Sequence, residues 1–169
     1  PNTPGLRELQ NREPLTELLT ELQTLNRQLA VDHEVAPRPI LLKIAPDVTA
    51  GQLSDIAAIV ADISLDGLIA TNTTLSRDGL TTPADDVAAI GNGGLSGAPL
   101  TQRSREVVRE LHTLTGGKVP IIGVGGIMNG EDAWQMIRAG ASMVQIYTGF
   151  IYGGPGIVRD INRHLLMRL

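Results

Sequence analysis

Residues 119–155 read VPIIGVGGIMNGEDAWQMIRAGASMVQIYTGFIYGGP, and this stretch predicts the fold of the chain. The apolar run at 120–124 has the length of a buried strand and is too short for a helix. A second apolar run at 143–146 predicts another strand, and the residues between them repeat their apolar positions with the period of a helix. Strand, helix and strand in this order predict two neighbouring parallel strands. The loops at their carboxyl ends then lie where parallel α/β folds bind ligands.

The two loops that follow these strands have the chemistry of a phosphate site. Gly125, Gly126 and Gly149 lack a Cβ, so their amides can approach an anion, and Thr148 adds a hydroxyl donor. The acidic pair Glu131-Asp132 at the start of the intervening helix repels an anion there. We therefore expect the phosphate on the loop amides and on a short turn after Thr148. The competing interpretation is that the glycines only allow a strand to turn into a helix.

The rest of the chain alternates helices and strands around this stretch. The pattern predicts helices at 6–29, 49–63, 99–114 and from 155 to 169, strands at 39–45 and 67–70, and a long loop at 75–95. Four such βα units predict a parallel sheet covered by helices and make half of a (β/α)8 barrel, which typically needs ~250 residues. An open doubly wound sheet of the flavodoxin type is the alternative.

Composition excludes several classes of function. The chain has 169 residues, a net charge of −4, no cysteine and only two lysines, which argues against a nucleic-acid surface and excludes a disulfide framework. Its three histidines lack a second ligand at metal spacing, so we expect them at the surface and predict no metal site. No segment has the length and hydropathy of a membrane span. The start at Pro1, without a methionine, favours a piece of a longer protein.

Lys43 is the strongest single indication of chemistry. It lies near the carboxyl end of the strand at 39–45, and an ammonium buried there is costly without an anionic partner. A lysine that extends to solvent at the mouth of a barrel is the alternative. A cofactor with a phosphate at one end and developing negative charge at the other satisfies both Lys43 and the glycine loops, and reduced flavin mononucleotide (FMN) is such a molecule.

Two further polar stretches follow predicted strands or lie in the long loop. The cluster at 71–74, Thr-Asn-Thr-Thr, offers hydroxyls and an amide that suit a polar planar ring, although a threonine-rich turn has the same composition. The pair Ser96-Gly97 ends the long loop and could fold over a ligand.

These stretches together closely resemble the class 2 dihydroorotate dehydrogenases, which are quinone-dependent FMN enzymes of pyrimidine synthesis. The matching blocks keep the order and spacing of that family along the whole chain: PNTPGL at 1–6, KIAPD at 43–47, ATNTT at 70–74, GGLSG at 93–97, PIIGVGG at 120–126 and VQIYTG at 144–149. The resemblance implies that residues 1–169 are the C-terminal half of a single flavin-binding (β/α)8 domain.

The resemblance also implies a role for individual residues. Lys43 and Thr71 match contacts to the flavin ring, and Ser96 and Gly97 lie in the loop that covers the flavin. Gly125, Gly126, Tyr147 and Thr148 match the phosphate site, with Gly149 beside them. Asn2, Asn72 and Thr73 match contacts to the substrate.

The mechanism implied by the resemblance is oxidation of dihydroorotate to orotate. A serine takes the proton from C5, C6 passes hydride to flavin N5, and quinone reoxidises the flavin. Lys43 stabilises the negative charge at the N1/C2 edge of the ring. That serine directly precedes the Pro-Asn pair that matches Pro1-Asn2, so it is absent from this chain.

The resemblance extends to partners and location. It implies a monomeric enzyme held peripherally at the cytoplasmic side of the cell membrane by N-terminal helices that are not in this sequence. We therefore expect the 169-residue chain alone to be inactive and to be soluble or aggregated. The alternatives are a different phosphate-binding (β/α)8 enzyme, which needs the glycine loops without Lys43 or Asn72, and a non-catalytic binding fragment.

Overall fold

The computed structural model describes residues 6–168. It contains four strands and seven α-helices in those residues, preceded by a 3-10 helix at Leu6–Gln10 and with another at Ala98–Leu100. The strands are β1 (Leu41–Ile44), β2 (Gly67–Ala70), β3 (Ile121–Val124) and β4 (Met143–Gln145). The helices are α1 (Arg12–Asp32), α2 (Ala50–Asp62), α3 (Ala84–Ile90), α4 (Thr101–Leu114), α5 (Gly130–Arg138), α6 (Thr148–Gly153) and α7 (Gly156–Leu166).

The strands form one parallel sheet in the order β1-β2-β3-β4. Each strand therefore lies beside its successor in the chain, with a helix in each connection. A doubly wound sheet reverses its strand order at a switch point, whereas a (β/α)8 barrel adds strands in sequence. The observed order confirms an α/β fold with the topology of part of a barrel and contradicts the flavodoxin-type alternative.

Local signals in the sequence place the two helices that flank this sheet most clearly. Thr49 caps α2 in a capping box with Gln52, and the Asn129 side chain accepts the Asp132 amide at the start of α5. The cap at Thr49 agrees with the expected start of the helix at 49–63. The apolar faces of the helices then pack on one side of the sheet, and the buried core includes Leu53, Ile56, Val60, Val107, Val108, Leu111, Ala133 and Met136.

The two faces of the sheet differ in burial. Ile44, Leu68 and Ile121 are fully buried against the helices. The register aligns Lys43 with Ile69, Ile69 with Ile122 and Ile122 with Met143, so these side chains share the opposite face. Met143 is 61% exposed there. The apolar run at 143–146 predicts a buried strand, but β4 is only partly buried, because helices cover one face of the sheet within the described residues.

Two other expectations, for the loop at 75–95 and for the histidines, need correction or a qualification. The loop at 75–95 contains the short helix α3, which was not predicted and which buries none of its residues. Along α1, Leu15 and Leu19 are buried, but Leu18, Leu22 and Leu25 are exposed. His33 and His112 are exposed as predicted, whereas His164 is half-buried. Among the described helices, none is both long enough and apolar enough to cross a membrane.

Candidate functional site

A single cavity of about 270 Å³ opens at the carboxyl ends of the four strands. Every predicted site residue between 6 and 168 lines it: Lys43, Thr71, Asn72, Thr73, Ser96, Gly97, Gly125, Gly126, Tyr147, Thr148 and Gly149. Asn2 lies outside the described residues. The fold thus brings together positions that are separated by more than a hundred residues in the sequence, while their binding roles remain predictions.

Lys43 projects from β1 into the open side of this cavity. It is exposed, and no carboxylate of residues 6–168 lies within ion-pair distance of it. The expectation of a buried ammonium is therefore wrong, and the physical reason is that Lys43 belongs to the uncovered face of the sheet. Its positive charge is nevertheless not neutralised by a described acidic side chain, so it is available to an anionic ligand.

The segment after β2 is held by its backbone and presents its side chains to the cavity. The Thr71 amide donates to Val124 O at 2.7 Å, and the Asn72 amide donates to Ile44 O at 2.7 Å. Thr71 is only 2% exposed. The Asn72 side-chain oxygen accepts the Thr73 amide at 2.9 Å, so the Asn72 NH₂ group is the part left to donate to a ligand. Asn72 is exposed and Thr73 is half-buried.

The end of the long loop is joined to the start of α6. The Thr148 hydroxyl donates to Ser96 Oγ at 2.9 Å, and a Cβ on Gly97 would lie 3.1 Å from Thr148 Cγ2. The loop is closed at its base by paired backbone hydrogen bonds between Thr74 and Leu95 of 3.1 and 2.8 Å. Arg77 strengthens this closure by donating to Gly93 O at 2.5 Å. Ser96 and Gly97 are thereby placed directly over the Thr148 side of the cavity.

The glycine loops pack against each other and against α4. A Cβ on Gly126 would lie 2.2 Å from Thr101 Oγ1, and one on Gly149 would lie 2.3 Å from Ile127 O. The expectation was that these glycines leave room for an anion. The structure instead shows that the missing Cβ atoms leave room for neighbouring protein backbone, so the glycines allow the loops to converge on one cavity. The amides of Gly125, Gly126 and Gly149 donate to no acceptor among the described residues.

Two arginines of α4 hold the loops that follow β1 and β3. The Arg103 guanidinium donates to Pro46 O at 2.9 Å and to Val48 O at 2.8 Å, in the loop that follows Lys43. Arg105 donates to Asp132 at 2.6 Å, and the other Asp132 oxygen accepts the Met128 amide at 3.1 Å. Both side chains of this ion pair are about four-fifths buried. Asp132 is therefore engaged in fixing the loop after β3 and does not face the cavity.

Sequence reasoning missed six residues that also line the cavity. They are Leu100, Val124, Ile127, Met128, Gln145 and Ile146. Gln145 was detectable, because it is a polar residue near the carboxyl end of an apolar strand. Leu100 carried no signal, since an apolar residue in a helical pattern is ordinarily assigned to the core. Among the described residues, no group of three metal-ligating side chains occurs.

Comparison with known families gives one consistent match. The model of the family described as dihydroorotate dehydrogenase matches residues 1–169. A protein of Christiangramia forsetii named dihydroorotate dehydrogenase (quinone) is 54% identical over 166 residues, which is 98% of this chain and 46% of that protein. A protein of Roseiflexus sp. with the same name is 53% identical over 169 residues, covering 100% of this chain and 44% of the relative. The chain thus spans less than half the length of these relatives.

Solved structures agree with the sequence comparison. The crystal structure of DHODH from Eimeria tenella in complex with ferulenol has a TM-score of 0.89 to this chain and 39% sequence identity. The match covers 98% of this chain and 46% of that structure. The ligand-free form of the same enzyme gives a TM-score of 0.88 with 38% identity.

Proposed function

This chain belongs to the dihydroorotate dehydrogenase family, and we propose that it supplies the flavin-binding part of an enzyme that oxidises dihydroorotate to orotate with quinone as electron acceptor. The observation that carries the proposal is the cavity at the strand ends. One end of it has loop amides that donate to no described acceptor, beside the hydroxyls of Thr148 and Ser96, and the other has the Lys43 charge, which no described carboxylate neutralises. The relatives named above carry the quinone in their names.

The cavity fits FMN by the chemistry of its donors. An anionic group requires donors and positive charge, and the described acidic residues Glu131 and Asp132 are both turned to other partners. The amides of the two glycine loops, which donate to no described acceptor, suit the phosphate. The hydroxyl pair of Thr148 and Ser96 suits it too, because Thr148 donates to Ser96 and the Ser96 hydrogen is left for a ligand. Lys43 and Thr71 suit the flavin ring with its carbonyl acceptors, and the side-chain NH₂ group of Asn72 suits the substrate. When bound, FMN supplies a two-electron acceptor that quinone can reoxidise.

The residues of this chain then act by binding and by electrostatics. Lys43 places a positive charge on the side of the cavity where negative charge gathers during oxidation. Preorganised electrostatic stabilisation of this kind often lowers the activation free energy by ~3 kcal/mol. The Thr73 N–H donates to the Asn72 side-chain oxygen and so fixes the orientation of that side chain. The Asn72 NH₂ group then donates to the substrate. Thr73 and Asn72 are proposed substrate contacts, and Ser96 and Gly97 cover the phosphate side, where they meet Thr148.

The remaining parts of the proposal come from the resemblance. The proton acceptor is a serine directly before Pro1, and Asn2 is a substrate contact beside it. Residues 1–169 form the C-terminal half of one (β/α)8 domain. The intact enzyme is monomeric and associates peripherally with the cytoplasmic side of the cell membrane.

The test is purification of the protein expressed from its complete gene. We expect a flavin spectrum, release of FMN on denaturation, and reduction of a quinone or dye that depends on dihydroorotate. A protein that retains FMN but does not oxidise dihydroorotate would contradict the substrate assignment. A protein that binds another phosphorylated ligand and no flavin would instead favour a different phosphate-binding barrel enzyme. Turnover by residues 1–169 alone would show that the base lies within this chain.

A further inference from the structure

Two hydroxyl groups on α4 hold the carbonyl groups of the glycine pair after β3. Thr101 Oγ1 donates to Gly126 O at 2.6 Å, and Ser104 Oγ donates to Gly125 O at 2.7 Å. Ser104 Oγ also lies 3.1 Å from Thr101 O. Because a hydroxyl has one hydrogen, the shorter distance identifies Gly125 O as its main acceptor. Ser104 is completely buried, so no water takes the place of its hydroxyl at the Gly125 carbonyl.

These hydrogen bonds fix the direction of the next amide in each case. In a planar trans peptide, the carbonyl of one residue and the N–H of the next point in opposite directions. With Gly125 O on Ser104, the Gly126 N–H points away from α4. With Gly126 O on Thr101, the Ile127 N–H does the same. Gly126 and Ile127 both line the cavity, and neither amide donates to an acceptor among the described residues.

The loop also rests directly on the α4 side chains that supply the hydroxyls. A Cβ on Gly125 would lie 3.0 Å from Ser104 Cβ, and the φ angles of Gly125 and Gly126 are +123° and +67°. Glycine peptides rotate easily because they carry no side chain. Without the two hydroxyls, the carbonyls lose their acceptor positions on α4, and either peptide can turn its oxygen into the cavity, where it repels an anion.

We propose that Thr101 and Ser104 are positioning residues of the anion site, which hold the Gly125 and Gly126 carbonyls on α4 so that the Gly126 and Ile127 amides face a bound phosphate. The inference rests on the proposed function only in taking that phosphate to be the one carried by FMN. It adds two residues that contact neither flavin nor substrate.

The test compares FMN with riboflavin, which lacks the phosphate, in the apoprotein expressed from its complete gene. Thr101→Val keeps the shape of the side chain and removes the donor. We expect its FMN affinity to fall about tenfold, the cost of one charge-assisted hydrogen bond, while its riboflavin affinity stays unchanged. Ser104→Ala should behave alike, and Thr101→Ser should restore FMN binding. Flavin fluorescence quenching measures all four variants, including the control described next.

The matched control is Thr113→Val on the same helix. The Thr113 hydroxyl donates to Arg109 O at 2.9 Å, within α4 and away from the cavity. The same chemical change there should leave both flavin affinities as in the wild type. Thermal unfolding of each variant reports any general loss of stability, which affects FMN and riboflavin equally.

A second measurement keeps the inference separate from the proposed function. Inorganic phosphate is titrated into labelled protein, and the amide signals of Gly126 and Ile127 are followed by NMR. We expect both signals to shift in the wild type and in Thr113→Val, and to respond about tenfold more weakly in Thr101→Val. Equal losses of FMN and riboflavin affinity, an unchanged FMN affinity in Thr101→Val, or wild-type amides that ignore phosphate would each overturn the proposal. A wild type that binds phosphate through these amides but not FMN would contradict the proposed function alone.

Discussion

Replacement of Gly149 by alanine should separate the two loops that form the anion site. The added Cβ would lie 2.3 Å from Ile127 O, a backbone atom, whereas ordinary van der Waals contact begins at 3.4 Å. The loops must therefore move apart by about 1 Å. A hydrogen bond of ~2.9 Å does not survive that change, and two charge-assisted bonds are worth ~3 kcal/mol or more together. We expect FMN affinity to fall at least ~100-fold.

The control for this prediction is Gly51→Ala. Gly51 is the second residue of α2, as Gly149 is the second residue of α6, but its Cβ would meet only Thr49 Oγ1 at 3.9 Å. Alanine favours a helix over glycine by up to ~1 kcal/mol, so Gly51→Ala should raise the unfolding temperature slightly and leave FMN bound. Fluorescence titration with FMN measures both variants. If Gly149→Ala binds FMN with wild-type affinity, the close packing of the two loops does not form the anion site.

Three other outcomes test separate parts of the site and fold. Lys43→Met should slow flavin reduction by dihydroorotate about 100-fold or more while FMN stays bound, which stopped-flow absorbance measures; an unchanged rate would remove Lys43 from the electrostatic role. Thr73→Ala should leave the flavin content unchanged and raise the Kd for orotate, and equal Kd values would exclude it as a substrate contact. A hydrogen bond from Gln135, aided by the charges of Arg168 and His164, lowers the pKa of Glu131 below its ordinary 4.5. Its contribution to stability is therefore present above pH 4.5 and lost as pH falls through the lowered pKa, so the unfolding temperatures of Glu131→Gln and wild type should differ at pH 7 and converge in acid.

The sequence predicts the elements of this fold well wherever a local signal and burial coincide. The β2 strand at 67–70 has the expected bounds, and Thr49 and Asn129 mark helix starts because each caps with its own side chain. The prediction fails where burial depends on distant parts of the chain. Met143 belongs to an apolar run, but the described residues cover only the other face of β4. Helix α3 is a second case, since this short helix forms although none of its residues is buried.

The composition of the site is more predictable than its geometry. Glycines, threonines and Lys43 at strand ends indicate the cavity because few structural roles need those residues there. What orients them is invisible in the sequence, since a hydroxyl that donates to a carbonyl about twenty residues away follows no local pattern. Ser104 lies within the apolar face of α4, between Leu100 and the buried pair Val107-Val108. A small polar residue at such a position is ordinarily assigned to the core without a functional role.

The same geometry changes the reason for which glycine is needed at these loops. If glycine served only to admit the phosphate, an alanine would compete with the ligand and excess ligand would restore binding. Because the Cβ of residue 126 or 149 meets protein backbone instead, the substitution displaces the donors themselves. Added ligand then has no intact site to occupy, so the loss of affinity in Gly149→Ala reflects a changed site rather than a blocked one. The sequence indicates a role for glycine at these positions. Only the packing of α4, α6 and the loop after β3 shows which neighbouring atoms leave no room for a Cβ.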